Sequence, residues 1–283
     1  MRAFHERALG GSSRRPPATF RRMAKVRIDT LLAERGLAGS RTSAATAVRA
    51  GRVRIGQDGP FATKPGQLVP EDADLILAEP QRYVSRGGIK LENALEALGI
   101  DVKGRSCLDV GASTGGFTDC LLQRGAERVV ALDVAHGQLD WSLRNDPRVT
   151  VIERRNAREL DPAELPYEPS LITVDVSFIS LAKVLPALAL CLPPRGELLA
   201  LVKPQFEVGP EKVGKGGVVR DAEARREALR GAAAAATEAG IAVRGFASSG
   251  LPGPKGNRET FLWGEQAGTP IDDVEAAIRE VEP

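Results

Sequence analysis

Over 283 residues the chain is 42% hydrophobic and 27% charged, an ordinary soluble composition with enough length for two cores. Its longest apolar stretch, Val184 to Leu192, is broken by Pro186 and is too short to span a bilayer, and its three cysteines (Cys107, Cys120 and Cys191) lack paired metal spacing and read as reduced core residues of a cytoplasmic protein. The net charge of +2 hides an asymmetry, since residues 1–60 hold 13 Lys/Arg against 4 Asp/Glu, which makes the early part of the chain the expected polyanion contact.

Residues 1–22, rich in Arg, Ser and Pro, lack the apolar stretch of a secretory signal and read as a basic, disordered extension that grips RNA, as an organelle transit peptide, or, with a start at Met23, as lying outside the native protein, the reading favoured here. From Arg27 the spacing of Ile28, Leu31 and Leu32 predicts an amphipathic helix ended by Gly36. Ser40 is placed to cap a second helix whose apolar face is Ala44, Ala45, Ala47 and Val48. Gly51 stops it, Arg52–Ile55 alternates as a short strand, and further extended pieces are expected at 63–69 and 74–78. Arg27, Arg35, Arg41, Arg49, Arg52 and Arg54 stud these elements. Two short helices, a strand and this arginine cluster resemble the S4 RNA-binding domain, which implies a small α+β unit over 23–80 that grips structured RNA through phosphate and shape.

Residues 81–88, Gln81-Arg-Tyr-Val-Ser-Arg-Gly-Gly88, read as the junction, with Arg86 extending the RNA-binding set. A helix comes next with Leu91, Ala94, Leu95 and Leu98 on one face, and Lys90 near its start, where a cation opposes the helix dipole. From 89 to 283 the chain alternates strands near 106–110, 128–132, 149–153, 170–176, 196–203, 241–248 and 259–264 with helices near 116–124, 136–144, 179–191 and 221–239. Repeated β-α units predict an α/β fold with a mostly parallel, doubly wound sheet of seven strands, the last two antiparallel at its edge, and one short helix over 271–281.

The first of those strands runs into Gly111-Ala-Ser113-Thr-Gly115-Gly116-Phe117, a strand, glycine turn and helix start suited to a nucleotide-like ligand. Ser113 replaces the second glycine of a dinucleotide fingerprint. The same residues imitate a nucleophile elbow, but the chain has only His5 and His136, neither placed late enough for the triad. The third reading, the S-adenosylmethionine (SAM) loop of a Rossmann-like methyltransferase, is supported by Asp133, which ends the next strand where a carboxylate can accept two ribose hydroxyls. Two later strands end at Asp175 and Lys203, and in an open α/β sheet these ends share a crevice with the Gly111 loop. The glycine- and lysine-containing segment 207–219 is read as a mobile substrate lid.

With Lys90 and Glu259, these residues resemble the K-D-K-E tetrad of FtsJ/RrmJ-like ribose 2′-O-methyltransferases. Joined to an S4 domain and to Ser85-Arg-Gly-Gly-x-Lys90-Leu91, the sequence resembles the TlyA/haemolysin A family of ribosomal RNA methyltransferases from about residue 27 to 264. That resemblance implies SAM as cofactor, bound by Gly111, Ser113, Gly115, Gly116, Phe117, Asp133, Asn156 and Ala157, no metal, and as substrate a cytidine ribose of large-subunit ribosomal RNA and, for longer members, of the small-subunit RNA too. Lys203 would be the general base, oriented by Asp175, with Lys90 and Glu259 fixing charge and hydroxyl position. A lysine base works best with its pKa brought from about 10.4 toward about 7–8 by burial or a like charge, and two lysines in one crevice supply that charge. The partners expected are ribosomal RNA or ribosomal subunits, with no membrane and no obligate protein partner. A non-catalytic assembly factor would not need four polar groups at one crevice, and a membrane-acting haemolysin would need an apolar or strongly amphipathic segment.

Overall fold

The computed structural model describes residues 24–49, 51–57, 59–78, 82–253 and 255–283, so the basic extension expected over 1–22 lies outside it. The chain divides between residues 80 and 81 into two compact units.

In the first unit, β1 (Lys25–Arg27), α1 (Ile28–Glu34), α2 (Arg41–Arg49), β2 (Val53–Ile55), β3 (Leu68–Pro70) and β4 (Leu75–Leu77) surround a core that includes Ile28, Leu32, Ala44 and Val53. Gly36, at φ +69, follows α1 as expected, and Ser40 Oγ accepts from Ser43 N at 3.1 Å at the start of α2. The strand β1 is not legible in the helical spacing. It is made extended by antiparallel pairing with β3, while β2 pairs with β4.

The second unit begins within the expected junction. Tyr83 is buried, Asp119 Oδ2 accepts from Val84 N at 2.8 Å, and Arg86 already opens α3 (Arg86–Leu98). The later elements are β5 (Ser106–Val110), α4 (Gly116–Gln123), β6 (Arg128–Asp133), α5 (Trp141–Arg144), β7 (Val149–Glu153), β8 (Leu171–Val174), α6 (Leu185–Leu190), β9 (Glu197–Val202), α7 (Pro204–Glu207), α8 (Ala222–Glu238), β10 (Ile241–Ser248), β11 (Thr260–Gln266) and α9 (Val274–Val281). The sheet has seven strands in the order β10-β11-β9-β8-β5-β6-β7, parallel except that β11 runs antiparallel to both β9 and β10. Leu91, Leu95 and Leu121, from α3 and α4, fill one face; Leu185, Leu188, Leu229 and Ile278, from α6, α8 and α9, fill the other.

Two expected helices are shorter than their apolar patterns. Asp140 accepts from Ser142 N and caps α5, so that helix starts only at Trp141. Ser180 caps a 3-10 turn, Leu181–Lys183, before Pro186 near the start of α6 resets the helix.

Within the sheet, Asp109 on β5 is 0% exposed, accepting from Thr118 Oγ1 at 2.7 Å and Thr173 Oγ1 at 3.2 Å. Burial, against these hydrogen bonds and beside Asp175, pushes its carboxyl from 3.8 up to about 7. Between those values the folded chain keeps a proton that the unfolded chain has released. This residue's contribution to stability is therefore greatest at acid pH and declines as pH rises toward about 7. Asp109→Asn should remove the decline: in thermal melts from about pH 5 to about pH 8, the variant should gain on the parent as pH rises. A constant difference in Tm would contradict the assignment.

Candidate active site

The parallel strands β5, β6, β8 and β9 bring their carboxyl ends to one edge, and the turn after β5 lies there under a tight steric limit. Gly111 sits at φ +85 with its N–H donating to Leu132 O at 2.8 Å. A Cβ on it would lie 2.6 Å from the carbonyl oxygen of Asp175. Gly116 is equally confined, since a Cβ there would meet Ser85 Oγ at 2.2 Å. Gly115 is left-handed at φ +97, and Ser113 also has positive φ, at +50.

Asp133, at the end of β6, accepts from Ser113 N and from Ala135 N, both at 2.7 Å. It caps no helix; it ties the glycine turn to the next loop, and its remaining lone pairs stay free to accept hydroxyls. Asn156 Oδ1 accepts from Arg158 N at 3.1 Å, opening the turn that begins with Ala157. Phe117 is buried, its ring tilted against Phe261 at 5.7 Å, so it is a wall residue.

Three clefts meet along this edge. One, of about 430 Å³, is lined by Ser85, Lys90, Gly111, Ser113, Gly116 and Phe117; another carries Asp133, Asn156 and Ala157. A third, of about 410 Å³, is lined by Lys90, Phe178, Lys203, Phe206, Asn257 and Glu259. Asp175 lines all three, and Lys90 the first and third.

The four charged residues form two pairs. Lys90, in the second turn of α3, is bonded to Glu259, whose side chain is 1% exposed against 9% for the lysine. The burial and partner explain a cation where the helix dipole disfavours one. Lys203 Nζ lies 2.5 Å from Asp175 Oδ1 as an ion pair off the hydrogen-bonding direction, and donates its hydrogen bond to Ser177 Oγ at 2.9 Å. Each lysine therefore faces a carboxylate across the shared crevice.

Phe178 received no role from the sequence, although it stands only three residues past Asp175. It is 91% exposed, has φ +64, and its ring lies 5.2 Å from that of Phe206 over the third cleft. An exposed aromatic residue held in the left-handed region is unusual. The expected lid is anchored: Asn257 accepts from Val219 N at 2.9 Å and donates to Gly217 O at 2.7 Å, while Lys212 pairs with Glu227.

In the first unit the arginine cluster is partly committed to the fold. Arg27 and Arg41 both pair with buried Asp29, and chiefly the Arg27 hydrogen bonds hold that carboxyl down at about 2. Arg35 donates to the carbonyls of Glu71 and Ala73, Arg52 to Ala78 O, and Arg54 lies over Phe61. Carbonyl partners fix these guanidinium groups without neutralising them. Arg49 ends α2 exposed, and in the second unit Arg86 donates to Pro252 O at 2.8 Å.

Residues 83–266 match the FtsJ-like methyltransferase family, and residues 26–73 match the S4 domain. The chain belongs to the FtsJ-like methyltransferase family. It is 52% identical over 241 residues to the 16S/23S rRNA (cytidine-2′-O)-methyltransferase TlyA of Mycobacterium tuberculosis, covering 84% of this chain and 89% of that protein. Hemolysin A of Brachyspira hyodysenteriae is 40% identical over 235 residues, covering 83% of this chain and 97% of that one. A solved structure under the name hemolysin, from Streptococcus thermophilus, superposes with a TM-score of 0.70 at 42% identity, covering 92% of this chain and 94% of its own. Among the described residues of this FtsJ-like chain, no helix is long and apolar enough to cross a membrane.

The steric limit at Gly111 yields a direct test. Gly111→Ala puts an L side chain at φ +85 and a Cβ against the Asp175 carbonyl. It should lower stability by about 1–3 kcal/mol in denaturant titration. Parental stability in the variant would mean that the close approach does not exist.

Proposed function

We propose that this methyltransferase uses SAM to methylate the 2′-hydroxyl of a cytidine ribose in ribosomal RNA, of the large subunit and also of the small, and that it acts in the cytoplasm with the S4 unit gripping RNA. The observation that carries the reading is that Asp175 and Lys90 line both the glycine-turn cleft and the polar cleft. A cofactor on one side and a nucleophile on the other would meet at those two side chains. The named activity of the M. tuberculosis relative supports the substrate class.

The residues fit SAM. Gly111 and Gly116 line the first cleft with bare backbone held close to Asp175 and Ser85, and Asp133 keeps acceptor capacity for two ribose hydroxyls. Ser113, Gly115 and Phe117 would complete the methionine side of the pocket, with Asn156 and Ala157 beside the adenine. When bound, SAM supplies a methyl group already activated on a sulfonium.

The protein's own task is then to orient a ribose and take one proton. Lys203 is the group assigned to receive the 2′-hydroxyl proton at Nζ, which requires that it first give up its own. Asp175 and Ser177 hold that nitrogen in place before the transfer and stabilise the ammonium after it. Glu259 holds Lys90 across the crevice, where Lys90 orients the hydroxyl and is the alternative proton acceptor. Phe178, braced on Phe206, offers a platform on which the target base can stack once it leaves its helix; such stacking is worth about 1–3 kcal/mol per base.

The test is tritium transfer from labelled SAM to purified 30S and 50S subunits, followed by 2′-O-methyl-sensitive primer extension. Lys203→Ala should lower the rate by about 10²–10⁴ while SAM affinity stays near the parental value. Label on a base rather than a ribose, or none on either subunit with SAM and RNA both bound, would overturn the reading. Phe178→Gly should separate stability from activity: relief of positive-φ strain offsets the loss of the Phe206 contact, so Tm should hold, while turnover on RNA falls by about tenfold or more. Parental turnover in that variant would remove Phe178 from the site.

A further inference from the structure

Behind the polar cleft, one buried carboxylate is bonded to arginines that adjoin two of its walls. Glu282, just past α9, is 3% exposed. Its Oε1 accepts from Arg225 Nε at 2.8 Å, Arg225 Nη2 at 2.7 Å and Arg258 Nη1 at 3.0 Å. Its backbone carbonyl accepts from Arg226 Nη1 at 3.2 Å, so the residue is held from α8 at two points.

Each arginine leads to a different wall. Arg258 immediately precedes Glu259, the partner of Lys90. Arg225 donates to Arg220 O at 2.6 Å and to Val219 O at 3.4 Å, at the end of the 207–219 segment whose Val213 and Gly217 line the cleft. Asn257, on the other side of Arg258, bonds the same segment at Gly217 and Val219. The residues leading into β11, which include Glu259, and the segment facing them are thus joined twice, once through Asn257 and once through Glu282.

We propose that Glu282 is a positioning residue for methyl transfer, its carboxylate bridging Arg225 and Arg258 so that Glu259 and the 207–219 wall keep a fixed spacing around the polar cleft. The inference rests on the function proposed above, in which Glu259 holds Lys90. The two arms respond differently to loss of the carboxylate. Arg258 is 63% exposed and can turn to water, whereas Arg225, 11% exposed, keeps its carbonyl partners at Val219 and Arg220. Loss of Glu282 therefore unties the Arg258 side chain from α8 and leaves the Arg225 charge with carbonyl partners alone. Small displacements of positioning groups have large kinetic consequences, about a hundredfold for 1 Å.

The experiment uses the full chain with 50S subunits as substrate. Glu282→Gln removes the charge that holds both arginines, Glu282→Asp keeps it on a shorter arm, and Arg258→Gln cuts only the exposed arm toward Glu259. Glu282→Gln and Arg258→Gln should each lower kcat by about tenfold or more, with KM for the subunit and SAM affinity within about twofold of the parent. Glu282→Gln should also speed tryptic cleavage after Lys212 and Lys215, and Glu282→Asp should recover part of kcat. Parental kcat in Arg258→Gln overturns the link to Glu259. Loss of SAM binding and of the cooperative melt in Glu282→Gln, with parental kcat in Arg258→Gln, assigns Glu282 to fold stability and overturns the proposal. Lys203→Ala run alongside separates the two levels: if it keeps parental activity, the proposed site itself fails whatever Glu282 does.

Discussion

The crevice of the second unit depends on a close approach between a loop and a strand end. Gly111 can lie against the Asp175 carbonyl only because it has no side chain and because φ +85 is open to it. That contact fixes the glycine turn relative to β8, and through β8 to Lys203 on the neighbouring strand. The sheet order β6-β5-β8-β9 puts Asp133, Gly111, Asp175 and Lys203 side by side along one edge, although they are widely spaced along the chain. A ligand lying over the turn is thereby within reach of the polar cleft. The function arises from that adjacency more than from any one residue.

Charge is handled in the same way throughout: a buried ion is given a partner, and the partner comes from a distant segment. Lys90 is held by Glu259, Asp29 by Arg41 as well as its neighbour Arg27, and Glu282 by Arg225 and Arg258. Removing one member of such a pair strands a charge in a poorly hydrated place, which costs far more than an exposed ion pair contributes. These pairs specify the arrangement of segments within each unit. Among the described residues, Asp109 is a buried acid with no cation beside it. It has threonine hydroxyls for partners and a neighbouring carboxylate, and burial pushes its carboxyl upward.

Two of the non-glycine residues with positive φ, Ser113 and Phe178, lie at the crevice. Phe178 keeps a left-handed backbone and a solvent-exposed ring, neither of which helps the fold, and it does so beside the polar cleft. The segment after β9 is held against the same cleft by Asn257. Packing elsewhere in the second unit, in the two apolar layers flanking the sheet, supplies the rigidity that such a site requires.

Periodicity and turn chemistry made the α/β alternation, the glycine turn and the long helix α8 legible, because each depends on residues near in sequence: an apolar repeat, a capping side chain, a glycine at positive φ. The chemical types of Lys90, Asp133, Asp175 and Lys203 were legible for the same reason, as polar residues ending or flanking apolar runs, whereas Glu259 was picked out only by the resemblance to the K-D-K-E tetrad. β1 was not, since three residues with one half-buried apolar position become a strand only by pairing with β3. Nor were the partners of the charged groups. That Lys90 pairs with Glu259 and Lys203 with Asp175, that Arg27 and Arg41 are committed to Asp29, and that Glu282 reaches Arg258 all depend on tertiary packing. The sequence by itself determined which elements form and which chemistry they carry, through local sterics and hydrophobic period; only the tertiary structure decided which charges meet, because a salt bridge between distant residues leaves no period in the chain.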